Sequence, residues 1–267
     1  GVFRMGGQAI YLDHRESPLG TRETVSDYGK NLERWCHAIV ARVHSHSTVV
    51  ELAAATRIPV INTLCDMHHP CQALADLQTL VERGFHLNHS RLAWVGDGNN
   101  VCHSLIEAAS ILGFGITVVT PKGFEPDSTV VSQCVARSMR TGARIEITHD
   151  IGAIQGAFAV YTDTWTSMGQ TESSAKKSAF EAYRVDREVM AIAGAKSLFM
   201  HCLPAHRGEE VTDEVIDSAN SVVFDQAEHR MHAQNALLCH LLSPKSSLSK
   251  SDDFNTAHAR HPTPALQ

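Results

Sequence analysis

Leu92-Ala93-Trp94-Val95-Gly96-Asp97-Gly98-Asn99-Asn100-Val101 decides how this chain folds. An apolar run breaks into glycine, aspartate and asparagine, then resumes as an amphipathic stretch over 100–113. Strand, polar turn and helix in that order form half of a βαβ unit. The pattern recurs outward in both directions. Strand-like runs at 38–43, 59–62, 92–96, 116–120, 144–148, 158–162, 197–203 and 221–224 alternate with amphipathic stretches at 25–36, 47–56, 70–84, 100–113, 127–140, 174–193 and 212–218. Crossover helices of this length imply parallel sheets covered on both faces. The expected class is α/β, with two doubly wound parallel-sheet domains at 1–84 and 85–225, divided near the polar stretch 82–90. Residues 226–242 read as one long helix, with Ala227, Met231, Ala233, Leu237, Leu238 and Leu241 on its apolar stripe. The Ser-, Lys-, His- and Pro-rich segment 243–267 lacks periodicity and reads as a mobile tail. Thr24 with Asp27 three residues later predicts a capped helix start.

Composition narrows the function. The 267 residues are 43% hydrophobic and 19% charged, which suits a large buried core rather than a disordered chain. Lys and Arg number 23 against 29 Asp and Glu, so no basic footprint for nucleic acid is present. No run approaches the ~18 apolar residues that cross a membrane. The seven cysteines form no C-x-x-C pair, which points to a reducing compartment.

Ligands of doubly wound sheets bind beyond the carboxyl ends of the strands, so the turns after them are the candidate sites. Gly96-Asp97-Gly98 has the start of a dinucleotide fingerprint, but Val101 stands at the third glycine. No acidic residue closes the next strand either, at Val118-Val119-Thr120-Pro121. Asn99 and Asn100 suit either helix capping or a zwitterionic ligand. Asp66-Met67-His68-His69-Pro70-Cys71-Gln72 opens a helix, whose N-terminus attracts anions, and His69 and Gln72 would add side-chain donors there. Cys65, His68, His69 and Cys71 admit a metal reading, although the second pair of a structural site is missing. His44 and His46 read as solvated strand-end residues. Arg42 closes an apolar strand, where a guanidinium is placed to hold a phosphate or carbonyl oxygen. Asp163-Thr164-Trp165-Thr166-Ser167-Met168-Gly169 reads as a lid with a glycine hinge, or as a plain Ser/Thr-rich connection. His201-Cys202-Leu203-Pro204 ends a strand with a cysteine that packs as a small hydrophobe unless it has a chemical task.

Taken together, these segments resemble the aspartate/ornithine carbamoyltransferase family, from Phe3 to Leu242. His69-Pro70-Cys71-Gln72 is similar to its carbamoyl-phosphate segment. Asp97-Gly98-Asn99-Asn100, the Asp163…Ser167-Met168-Gly169 loop and His201-Cys202-Leu203-Pro204 are similar to the ornithine-using branch. The run from Phe224 to Gln234, with Arg230, resembles the family's last helix, and the resemblance implies that this helix packs back on the first domain. Aspartate-using relatives share the first motif and not the Asp-Thr-Trp…Ser-Met-Gly loop.

The resemblance implies that Arg42, His69 and Gln72 bind carbamoyl phosphate, with Cys202, Leu203 and Arg230 closing around the carbamoyl group. Asn100, Asp163, Ser167 and Met168 would hold L-ornithine, with Asp163 on its α-ammonium. Arg42, His69, Asp163, Cys202 and Arg230 would be the catalytic set. Carbamoyl phosphate arrives activated, so neither metal nor organic cofactor is expected. A homotrimer is also implied, in the cytoplasm, or in an organelle matrix if a targeting peptide preceded Gly1.

Three departures qualify the match. The family's Ser-x-Arg-Thr-Arg phosphate segment lies upstream of the stretch that Gly1-Val2-Phe3-Arg4 resembles, so the first domain reads as N-terminally truncated. Each charge-assisted hydrogen bond missing with it would be worth roughly 1.5–3 kcal/mol, and weak carbamoyl-phosphate binding by residues 1–267 alone is expected. Thr63 stands at a usual glycine and His229 at a usual asparagine. Two other readings stay open: a non-catalytic binding or regulatory subunit, and a carbamoyltransferase for putrescine or N-acetylornithine.

Overall fold

The computed structural model describes residues 1–14, 16–166 and 174–243. Strands and helices alternate as α1 (Val25–Glu33), β1 (Ile39–Arg42), α2 (His46–Ala55), β2 (Val60–Leu64) and α3 (Pro70–Glu82). Then come β3 (Arg91–Val95), α4 (Asn100–Leu112), β4 (Gly115–Val119), α5 (Ser128–Thr141), β5 (Ile145–Thr148) and β6 (Ala159–Thr162). The order closes with α6 (Ser174–Phe180), α7 (Arg187–Ala193), β7 (Leu198–His201), α8 (Asp213–Ile216) and α9 (Val223–Leu242).

Two parallel sheets form among the described residues, as the alternation predicts. One pairs β1 with β2, and the other runs β5-β4-β3-β6-β7. From β3 the chain builds outward through β4 and β5, then returns to lay β6 on the opposite side. That reversal makes the second sheet doubly wound. Its strands alternate their side chains between two cores. Leu92, Trp94, Ile116, Val118 and Tyr161 pack with Leu105, Ile106 and Ala109 of α4. Ala93, Val95, Val119, Val160 and Phe199 pack with Val189 of α7 and Val215 of α8. A strand buried on both faces has no room for polar alternation, which is why these runs are so uniformly apolar.

Local signals set the element ends. Thr24 Oγ1 accepts the Asp27 N–H at 3.0 Å, as expected of a cap. Asn99 Oδ1 accepts from the N–H groups of Val101 and Cys102 at the start of α4. Gly98 is required by close approach, because a Cβ there would lie 2.2 Å from Pro126 N.

Three expectations need correction. The run 221–224 is not a strand: Ser221 makes only an isolated bridge to Phe199, and the chain turns into α9 at Val223. Its valines are apolar because Val222 and Val223 plug the core, while Phe224 faces out at 70% exposure. The long helix therefore starts three residues before 226. The stretch 174–193 is not one helix, because Val185 pairs in extended form with Val211 and Asp186 then caps α7 by accepting from Val189 N–H. The last strand ends at His201, since Leu203 turns to φ 56°. Ser243 is the only residue of the expected tail among those described.

Helix α9 lies against α3. Gln226 Nε2 donates to Asp76 Oδ1 at 2.7 Å, His229 Nδ1 meets Thr79 Oγ1 at 2.8 Å, and Arg83 pairs with Asp225. His229 Nε2 also reaches Glu82 at 3.0 Å, so the histidine fits where the family usually has asparagine. Thr63 fits likewise, donating from Oγ1 to the Ala41 carbonyl at 2.9 Å.

Candidate active site

The carboxyl ends of both sheets supply the expected residues. In the first sheet the β1–β2 register shifts between Ala41 and Arg42, which leaves Arg42 exposed at the strand end. His69 is buried at the N-cap of α3, with its backbone N–H donating to Ser104 Oγ of α4 at 2.7 Å. Burial, and then the positive charges of Arg230 and Arg42, push its imidazole down to about 3. The ring is therefore neutral at physiological pH and can donate or accept without bringing charge. Buried polar atoms without partners cost roughly 1–3 kcal/mol each. Two of them, His69 Nδ1 and Arg230 Nε, lie at this end of α3.

The second sheet contributes a carboxylate. β3 and β6 are neighbours where the winding reverses, the place such folds put their ligands. Asp163 follows β6 and is buried there. Its Oδ2 accepts from Asn99 Nδ2 at 2.8 Å, and its Oδ1 accepts from the Cys202 thiol at 2.9 Å and the Thr164 N–H at 2.8 Å. Burial first, and then the Asp163 charge, hold the Cys202 thiol well above its ordinary pKa. Cys202 is thus a protonated donor at neutral pH rather than a thiolate base. Nearby, buried Asp97 pairs with Lys176 Nζ at 2.7 Å, and burial raises its pKa against that pairing.

A buried polar chain links the two halves. Asp76 Oδ1 accepts from both Gln72 Nε2 at 2.8 Å and Gln226 Nε2 at 2.7 Å. Gln226 Oε1 in turn accepts the His201 backbone N–H at 3.1 Å, and Gln72 Oε1 accepts from Arg230. Burial pushes the Asp76 carboxyl up to about 7, with the two amide hydrogen bonds opposing it. Gln72 therefore uses one of its two amide N–H groups inside the protein. Asp76, one helical turn on, takes one of those N–H groups, and the amide oxygen meets the arginine.

Family models for the two domains of one enzyme class match almost all of this chain. "Aspartate/ornithine carbamoyltransferase, carbamoyl-P binding domain" matches residues 1–82, and the "Asp/Orn binding domain" of the same description matches residues 88–241. The chain belongs to the aspartate/ornithine carbamoyltransferase family. An ornithine carbamoyltransferase of Shewanella oneidensis is 50% identical over 91% of this chain and 81% of its own length. One from Thermococcus kodakarensis is 45% identical over 89% of this chain and 76% of its own length. Among solved structures, the ornithine carbamoyltransferase of Pyrococcus furiosus is 44% identical with a TM-score of 0.86, covering 90% of this chain and 77% of that one.

Within this carbamoyltransferase fold, Arg42, His69, Gln72 and Arg230 gather at the α3 end. Asp163 and Cys202 are hydrogen-bonded to each other, with Leu203 following. Asn100 does not reach them by hydrogen bond. Its Nδ2 donates to the Cys65 carbonyl at 2.7 Å, tying the start of α4 to the loop before α3. Ser167 and Met168, with the expected lid hinge at Gly169, lie outside the described residues. The residues read as metal candidates do not converge. Cys65 Sγ meets His46 Nδ1 at 3.4 Å and Asn62, while the His68 ring packs edge-on against His46 and His103. His46 is therefore half-buried rather than solvated, and its backbone N–H donates to Asp66 Oδ1 of the same loop at 2.8 Å.

The sequence gives no sign of the parts that Asp76 and Gln226 play. Asn99, read as a cap or a ligand group, is a cap through its Oδ1 and holds Asp163 through its Nδ2. Asp76 stands four residues after Gln72 on a helix, which is contact distance, but an aspartate there reads equally well as a solvated face.

Proposed function

We propose that the protein transfers the carbamoyl group of carbamoyl phosphate to the δ-amine of L-ornithine, giving L-citrulline and phosphate. The Asp163–Cys202 pair carries this reading. A buried carboxylate held by Asn99, Thr164 and a thiol is a preformed acceptor for an ammonium group. Relatives named ornithine carbamoyltransferase support the choice of amine.

In this reading Arg42, Arg230 and neutral His69 polarise the carbamoyl carbonyl and take up the negative charge of the tetrahedral intermediate. Gln72, Cys202 and Leu203 orient the carbamoyl group. Asp163 meets the α-ammonium of ornithine, with Asn100, Ser167 and Met168 completing the amino-acid site. The neutral δ-amine attacks the carbonyl carbon. A C–N bond forms, the C–O bond to phosphate breaks, and the proton lost by the amine goes to the departing phosphate. The rate should therefore rise with pH until the δ-amine is free. His69, neutral across that range, adds no step to the profile.

We read 1–84 as the carbamoyl-phosphate domain and 85–225 as the ornithine domain, with the helix of 226–242 returning to the first. A homotrimer in the cytoplasm or an organelle matrix fits the family. Among the described residues no helix is long and apolar enough to cross a membrane. The test is citrulline formation by the protein as expressed from its gene, with ornithine, putrescine and N-acetylornithine compared as acceptors at equal carbamoyl phosphate. Preference for either rival amine overturns the substrate, and no turnover with any of them leaves the non-catalytic reading.

A further inference from the structure

We infer that His201 and Glu210 form a positioning pair for the Cys202-Leu203 segment: Glu210 fixes the His201 ring so that Nδ1 captures the Leu203 backbone N–H. The inference rests on the carbamoyl-transfer reading and gives a role to two residues that reading leaves unused.

Both side chains are fully buried. His201 Nδ1 accepts the Leu203 N–H at 2.8 Å, so the ring proton must sit on Nε2. Nε2 lies 3.2 Å from Glu210 Oε1, which also accepts the His206 backbone N–H. The opposite tautomer would set N–H against N–H at Leu203 and leave an unprotonated nitrogen facing a carboxylate. Glu210 thereby selects the ring form that holds the loop.

The loop needs holding. Leu203 is the one non-glycine residue with positive φ among those described, at 56°. Leucine rarely adopts that backbone, and such residues persist where their surroundings over-determine them. Here the ring two residues earlier grips the Leu203 N–H. Gln226 holds the His201 N–H from the other side, and Cys202 between them donates to Asp163. The segment that carries Cys202 and Leu203 is thus pinned on both flanks.

Two substitutions separate positioning from packing, because both remove the ring. The Asn side-chain oxygen falls near the Nδ1 position and can still accept from Leu203. The Gln side chain reaches only the Nε2 position and can still meet Glu210. His201→Gln should lower kcat about 10²-fold, the scale set by a displacement of roughly 1 Å. His201→Asn should stay within about 10-fold of wild type. Equal losses in both variants would mean that the ring is only core packing, and would overturn the pair. Imidazole 15N NMR of the wild-type protein supplies a second measurement that needs no variant to fold. A neutral Nε2–H ring at His201 is expected, and an Nδ1–H or doubly protonated ring overturns the inference. Wild-type protein that forms no citrulline instead overturns the activity, and with it the role assigned to the pair.

Discussion

The two halves of the site offer their charges in opposite ways. On the first sheet Arg42 stands exposed at the end of a short strand, and the nearby histidine is neutral. On the second sheet Asp163 is buried and already holds three donors. A guanidinium can wait in water at little cost, because it stays ionised and is weakly hydrated. A buried carboxylate cannot wait alone, since desolvation favours its neutral form unless hydrogen bonds hold the charge. The cationic half can therefore be left open, while the anionic half has to be prebuilt.

Breaking the prebuilt half should do the most damage. Asp163→Asn removes the charge and reverses one donor, and kcat/KM for ornithine should fall about 10³-fold, the scale of an unpaired buried charge. Carbamoyl-phosphate affinity, measured by calorimetry, should change little, and a parallel loss there would end the division of labour. The link between the halves comes next. The Asp76 pKa is raised to about 7 in the fold from an ordinary 3.8, so its contribution to stability is complete at low pH and lost as pH rises from about 4 to 7. Subtracting the urea-unfolding free energy of Asp76→Asn from that of wild type should give a difference that falls by about 4 kcal/mol across that window. A flat difference would show that Asp76 stays ionised.

The open half should be more forgiving. Arg42→Ala should cost about 10² in kcat/KM for carbamoyl phosphate, the scale of one lost oxyanion donor, with ornithine KM nearly unchanged. Cys202 tests the donor reading. Cys202→Ser keeps a hydroxyl for Asp163 and should lose less than about 10-fold in kcat, while Cys202→Ala should lose roughly 10-fold or more, the worth of a hydrogen bond to a charged group. If the two lose equally, the thiol is not acting as a donor to Asp163. The smallest effect lies far from either half: Thr24→Ala should lower stability by about 1 kcal/mol in the same urea titration.

The fold was legible because its signals are local and repeated. Parallel strands buried on both faces are apolar throughout, and the helices between them carry their own caps. Misreadings occurred where tertiary contact overrode the local pattern. The Val222-Val223 pair has strand composition but plugs the core at a helix start, and Val185 leaves a helical stretch to pair with Val211. Arg42, His69 and Cys202 could be singled out because their side chains are chemically distinctive where they stand. Asp76, Gln226 and Glu210 could not. Their tasks depend on partners 150, 65 and 9 residues away, respectively Gln226, Tyr161 and His201, and on burial that composition does not reveal.

Gln72 has a single amide oxygen, and Arg230 already donates to one of its two lone pairs. The oxygen's second lone pair stays open, so a further donor can join the guanidinium on the same acceptor. Gln72 is thus a joint, with Arg230 on its oxygen and Asp76 on its amide nitrogen. Removing Arg230 would strip the site of a cation and also leave the Gln72 oxygen without the partner it now has.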